Sequence, residues 1–237
     1  LASTDFTREL AVSADGTPLS RRDLGHLLPQ AGTRDAGRGW LNDEVVNAWL
    51  AALVAARLAQ QGYARGPAAV PAYVAYPSFW WGKFKKDGDV RCLARWSRRY
   101  NISGASMFRA ERVFFPINTG AHWMLLLISP AARTISFLDS LHGGDDAGAP
   151  FVAFARAWLA MELGEHYRPD EWRVAPNDSA RQTNGNDCGV FVCANALAAA
   201  AGRPCAHVGT VDAETRKFIA AVLLAPGFTD DLHVDLV

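Results

Sequence analysis

Close-set cysteine pairs, a net charge and an apolar run of membrane-spanning length are all missing from this sequence of 237 residues. Its four cysteines, Cys92, Cys188, Cys193 and Cys205, include no CxxC spacing and follow no secretory signal. That usage argues for a reducing compartment over a disulfide scaffold, and it offers zinc no ligand set; no metal or cofactor is expected. Lys and Arg total 24 and Asp and Glu total 24, so bulk electrostatics gives the chain no reason to bind nucleic acid or an anionic membrane. The longest apolar stretches stop short of a bilayer's thickness, and there is neither an internal repeat nor a low-complexity tract. These absences leave a soluble globular chain, 50% apolar and 20% charged, able to bury one core as a single domain over 1–237. It opens at Leu1 in a polar segment without a methionine and is expected to be a fragment of something longer.

Against that background one stretch stands out, Gln182-Thr183-Asn184-Gly185-Asn186-Asp187-Cys188-Gly189, followed at once by the run Val190 to Leu197. Asn-Gly breaks regular structure, and the alanine-rich run behind it has the propensity of a buried helix. Cys188 is then expected at that helix's N-terminus, where unpaired amides and the helix dipole favour a thiolate. A free cysteine beside glycine also fits an inert core thiol, so the stretch needs partners from elsewhere.

Residues 1–38 mix Gly, Pro, Asp, Thr and Arg around a small apolar patch at Leu24, Leu27 and Leu28, which reads as an extended lead-in. After Trp40-Leu41-Asn42-Asp43, the positions Val45, Val46, Trp49, Leu50, Leu53, Val54 and Leu58 follow one helical face until Gly62. Trp40 and Asp43 lie at the mouth of that helix, available either for contact or as a packing tryptophan and an N-cap. Residues 67–77 read as turn-rich, and most of the rings Phe79, Trp80, Trp81 and Phe84 as core. Lysines and arginines then crowd residues 83–112 around Trp96, a solvated face or a surface for an acidic partner.

Three strands are predicted next, Arg112–Asn118, His122–Ser129 and Thr134–Ser140, joined by short links into an antiparallel meander. A tight second link puts Ser129 opposite Thr134 and hence Asp139 opposite Met124, whose same-face neighbour is His122. The start of one strand and the end of the next thus bring a histidine and an aspartate within reach at one sheet end. A second helix follows Pro150 and ends at Gly164, Trp172-Arg173-Val174 reads as a short strand, and a last helix covers about 212–224. His142 and His166 have no such context and read as surface residues.

Cysteine, histidine and aspartate in these settings are the parts of a nucleophile, base and orienter. Gln182 adds a side-chain amide that can aim at a developing oxyanion together with the Cys188 backbone N–H. The order His122, Asp139, Cys188 is a circular permutation of the papain order. Trp40-Leu41-Asn42-Asp43, Arg95-Trp96 with Asn101-Ile102, Pro116-Ile117-Asn118, His122-Trp123, Leu138-Asp139-Ser140-Leu141 and Gln182-x-Asn184-Gly185-x-Asp187-Cys188-Gly189 together resemble the ubiquitin-like-protein-specific (SUMO/sentrin) cysteine proteases, in that family's order, from about residue 38 to 198.

The resemblance implies an α+β papain-like fold with a central antiparallel sheet packed by helices. It implies cleavage after a C-terminal Gly-Gly of a ubiquitin-like modifier, most readily SUMO, in deconjugation or precursor maturation, by a monomer in the nucleus or at its envelope. His122, Asp139 and Cys188 match the triad and Gln182 the oxyanion glutamine. Trp40 and Trp123 match two rings that enclose the diglycine tail, a slot glycine can thread and a residue with Cβ cannot. Asp43 matches an aspartate that meets an arginine on the modifier. Arg181, Thr183 and Asn186 depart from residues common in that family, which leaves the choice of modifier open; the alternatives are a Nedd/Rub-type modifier or ubiquitin as substrate, acetyl transfer, and a non-catalytic module that binds ubiquitin-like proteins, against which the intact Cys-His-Asp-Gln set argues.

Overall fold

The computed structural model describes residues 5–27, 39–144, 146–209, 211–225 and 227–229. They divide into two compact units, one built from the described residues of 1–56 and 179–237, the other from 57–178.

The second unit is organised by a sheet of order β3-β4-β5-β6-β7, with β3 Tyr73–Ala75, β4 Arg112–Asn118, β5 Trp123–Ser129, β6 Thr134–Leu138 and β7 Arg173–Ala175. Strands β4, β5 and β6 form the expected antiparallel meander, and Ser129 pairs with Thr134 as the tight link requires. Arg133 takes a left-handed φ of 49° there. His122 ends up just before β5 and Asp139 just after β6, each strand being shorter at that end than predicted. The two edges correct a purely antiparallel picture, since β3 runs parallel to β4 and β7 parallel to β6. Strand β3 sits inside the stretch expected to be turns; at three residues bounded by prolines and glycines, it carries too little alternation to be read as a strand.

Helices α3 (Trp80–Asp87) and α5 (Ala149–Leu163) pack on this sheet, and the short turn Val90–Leu93 that leads into α4 (Ala94–Tyr100) packs against both. Aromatic rings fill the layer between. Tyr76 stacks on Phe115 at 4.2 Å, Trp80 lies against Phe154 at 4.3 Å, and the Trp80 indole donates to the Pro116 carbonyl at 2.6 Å. Each such ring pair adds about 0.5–1.5 kcal/mol to its area burial. Phe79 is an exception among the expected core rings, being largely exposed. The basic residues of 83–112 lie mainly on the outer faces of α3 and α4, consistent with a solvated face.

The first unit corrects the expected lead-in. Residues 9–12 and 18–20 pair as an antiparallel hairpin, β1 (Glu9–Val12) with β2 (Pro18–Ser20), and α1 (Arg21–Gly25) follows. The polar residues that read as irregular are turn chemistry. Thr17 N–H donates to the Ser13 hydroxyl at 2.9 Å, Gly16 holds φ at 87°, and Ser20 and Asp23 form a reciprocal cap on α1. Leu24 and Leu27 are buried as core; Leu28 and the residues to 38 lie outside the described residues.

Helix α2 (Asp43–Gln60) buries the predicted face through Val45, Val46, Trp49, Leu50 and Leu53, and is closed by Gly62 at φ 63°. Helix α6 (Cys188–Ala200) is buried at every residue, and α7 (Ala213–Leu224) starts on an Asp212 cap. The Trp49 indole donates to the Cys193 carbonyl at 2.9 Å, and its ring meets Phe218 edge-on at 6.0 Å. Among the described residues no helix is long and apolar enough to cross a membrane.

One polar group interrupts the aromatic layer. Glu162 on α5 is 9% exposed, and its Oε1 has no hydrogen-bond partner. Burial pushes its carboxyl up to about 7, against smaller opposing effects of the Ser97 hydroxyl and Arg98. The folded protein therefore holds a proton there that the unfolded chain releases near 4.5, so this group's contribution is full at low pH and is lost as pH rises toward 7. Urea denaturation of wild type should show the protein about 2–3 kcal/mol more stable at pH 5 than at pH 8 from this source. Glu162→Gln should flatten that slope.

Candidate active site

In the second unit, the register of β5 and β6 does what the sequence required. The His122 Nε2 lies 2.7 Å from the Asp139 Oδ1. An ionised carboxylate can only accept, so Nε2 carries the proton and the ring is fixed in one tautomer. The Thr119 amide and hydroxyl both donate to the His122 carbonyl, at 3.1 and 3.3 Å, holding the backbone at the start of β5.

Asp139 is nearly buried and has further donors. The Leu141 amide donates to Oδ1 at 2.9 Å and the Gly143 amide to Oδ2 at 3.0 Å. Burial works to raise its carboxyl, but the His122 bond and these two amides together hold it below the ordinary carboxylate value. Gly143 has a steric reason too, since a Cβ there would sit 3.2 Å from Oδ2 and 3.0 Å from the Ala147 methyl. Asn177 fixes the aspartate's own backbone, its amide donating to the Asp139 carbonyl at 2.8 Å and its Oδ1 accepting from the Asp139 N–H at 3.2 Å. Nothing in the sequence marked Asn177. Trp123, next to the histidine, opens β5 on the face opposite Met124 and is nearly buried. His142 adopts a left-handed φ of 50° in the turn after Asp139, and His166 is exposed.

In the first unit, Cys188 is the first residue of α6 and 3% exposed. The turn before it is tied by its own side chains. The Asn184 Oδ1 accepts from the Asn186 and Asp187 amides at 2.9 and 3.1 Å, and its Nδ2 donates to the Asp187 Oδ2 at 2.6 Å. The Gln182 amide donates to the Asn184 carbonyl at 2.6 Å, which places this side chain against the turn that leads to the cysteine. Trp40 is 48% exposed, yet its indole N–H reaches the Gly185 carbonyl at 2.9 Å. The tryptophan expected at a helix mouth is therefore strapped to the glycine turn. Asp43 is exposed at the first position of α2, and Asn42 makes the cap, its Oδ1 accepting from the Val45 amide at 3.1 Å. That leaves the Asp43 carboxylate outside the capping role the sequence allowed it.

The fold is thus α+β, with a cysteine at a helix N-terminus in the first unit and a carboxylate-oriented histidine in the second. Residues 40–208 match the Ulp1 protease family, C-terminal catalytic domain, and the chain belongs to that family. It is 26% identical over 221 residues to ubiquitin-like-specific protease 1 of Saccharomyces cerevisiae, covering 93% of this chain and 33% of that protein. It is 30% identical over 161 residues to sentrin-specific protease 2 of Mus musculus, covering 65% of this chain and 24% of the relative. The chain thus spans a third or less of the length of these relatives. Among solved structures, the catalytic domain of the Chaetomium thermophilum Ulp1-like SUMO protease superposes with a TM-score of 0.82 at 30% identity, over 98% of this chain and 88% of that one. The yeast Ulp1 protease domain in complex with Smt3, the yeast ortholog of SUMO, gives 0.72 at 25% identity, over 95% and 90%.

Asn177→Ala should remove two hydrogen bonds from the Asp139 peptide group in a half-buried position, the carbonyl keeping only the His142 amide at 3.2 Å. We expect a loss of about 1–3 kcal/mol in urea denaturation, with Asn177→Asp recovering only the half that accepts.

Proposed function

We propose that the two units act as one catalytic domain that cleaves after the C-terminal Gly-Gly of a SUMO-type modifier, from precursors or from target lysines. Cys188 is the nucleophile, His122 the general base and Asp139 the group that orients it. The observation that carries this reading is the 2.7 Å His122–Asp139 contact, in a chain of a protease family that also places a cysteine at a helix N-terminus. With Nε2 committed to Asp139, the ring works through Nδ1.

In the acylation half, Nδ1 takes the Cys188 thiol proton as sulfur attacks the terminal glycine carbonyl. The tetrahedral oxyanion is met by the Gln182 side-chain amide and the Cys188 backbone N–H. Collapse expels the lysine or peptide amine, which takes the proton back from the imidazolium and leaves a thioester. Water then attacks that thioester with His122 again as base, releasing the modifier's carboxylate and the free thiol. Trp40 and Trp123 enclose the diglycine tail, and the exposed Asp43 carboxylate meets a modifier arginine. A nuclear or nuclear-envelope setting and a monomeric state belong to the same proposal.

A panel of SUMO, Nedd8 and ubiquitin carrying C-terminal electrophiles tests it. SUMO should form a covalent adduct with wild type and none with Cys188→Ala, and Gln182→Ala should slow turnover about 10²- to 10³-fold. An adduct that persists in Cys188→Ala would refute the nucleophile assignment, and selective capture of Nedd8 or ubiquitin would refute the choice of modifier.

A further inference from the structure

We propose that Arg216 is a positioning residue of this site: from α7 its guanidinium clamps the turn that presents Cys188 to the segment that presents Trp40. The proposal rests on the reading of Cys188 as nucleophile and Trp40 as a wall of the diglycine channel. Arg216 lies beyond the residues 40–208 that match the family, and it is 3% exposed.

Its acceptors lie on three chain segments. Nε and Nη2 donate to the Asp187 Oδ1 at 3.1 and 2.5 Å, and Nη2 also reaches the Asn186 carbonyl at 3.3 Å. Nη1 donates to the His26 carbonyl at 2.8 Å, and both Nη1 and Nη2 lie 3.2 Å from the Gly39 carbonyl. Asp187 immediately precedes the nucleophile, and Gly39 immediately precedes Trp40. A planar fork with five N–H groups can serve all of these acceptors at once, whereas a lysine ammonium is a single point.

The clamp extends further through Asp187. Its second oxygen takes the Asn184 amide at 2.6 Å, and the Asn184 carbonyl takes the Gln182 amide at 2.6 Å. An unbroken series of contacts therefore runs from Arg216 to the proposed oxyanion donor. Asp187 occupies the N-cap position of α6, yet its side chain makes no cap bond. The carboxylate faces Arg216 and Asn184 instead, which trades helix stability for the shape of the turn. A structural role alone would be met as well by apolar packing at this buried position, since buried ion pairs often add little to stability.

Three variants of the chain decide the matter: Arg216→Lys, the double variant Arg216→Met with Asp187→Leu, which removes both charges, and Cys188→Ala. All three are read for melting temperature and for kcat and KM on a fluorogenic SUMO, and the two Arg216 variants also for alkylation of Cys188 by iodoacetamide at pH 7 followed by mass spectrometry. The double variant should fold and lose about tenfold or more in both alkylation rate and kcat. Arg216→Lys keeps the pair with Asp187 but loses the fork, so its main defect should be a KM raised about tenfold. If the double variant does not fold, the Arg216→Lys measurements decide alone. Variants that are folded at the assay temperature and alkylate and turn over within about threefold of wild type would overturn the clamp. Alkylation judges Arg216 whether or not Cys188 is the nucleophile, and turnover that survives in Cys188→Ala would sink that reading alone.

Discussion

The pairing register of β5 and β6 is the constraint from which the His122–Asp139 pair of the second unit follows. Ser129 opposes Thr134, and because side chains alternate strictly along a strand, this one pairing fixes every other across the hairpin. A slip by one residue would carry Asp139 away from His122, which it now meets at 2.7 Å. Side-chain packing opposes the slip, since Met124, Leu126 and Ile128 fit the aromatic core while Trp123, Leu125 and Leu127 fill the other buried face, and the two sets differ in shape. Hydrophobic packing of a sheet face thus sets the geometry of a polar pair at its end. Leu141, Gly143 and Asn177 then refine the pair, all three binding Asp139 through polar groups.

The turn from Gln182 to Asp187 is built on the opposite logic. No sheet register reaches Gln182 through Asp187, and the turn is shaped by polar side chains that satisfy one another. Such an arrangement is exposed to single changes. Removing one member of a buried ion pair such as Arg216–Asp187 leaves an uncompensated charge, at a cost of about 3–5 kcal/mol. The same dependence gives the turn a defined shape, and it joins the Trp40 segment to the cysteine helix within the first unit.

Much of this was legible in the sequence because its signals were periodic. The meander, its register and the helices 43–60, 149–163, 188–200 and 213–224 follow from alternation, helical spacing and end signals, and the His122–Asp139 contact follows from the register in turn. The missed features lacked any period. Strand β3 and strands β1 and β2 are three or four residues long, too short for alternation to show, and the Ser13–Thr17 turn looks like any polar run. Parallel edges cannot be read from strands that are far apart in the chain. Asn177 and Arg216 are single polar residues whose partners lie 38 and 29 positions away, so only three-dimensional structure pairs them with Asp139 and Asp187.

The central claim is that His122 activates Cys188, and the pH dependence of Cys188 alkylation by a small neutral electrophile tests it without any modifier present. Paired with His122, the thiol should react well below the ordinary thiol pKa of about 8.5, and His122→Ala should return the profile to that of an ordinary cysteine. Identical profiles for wild type and His122→Ala would contradict the account.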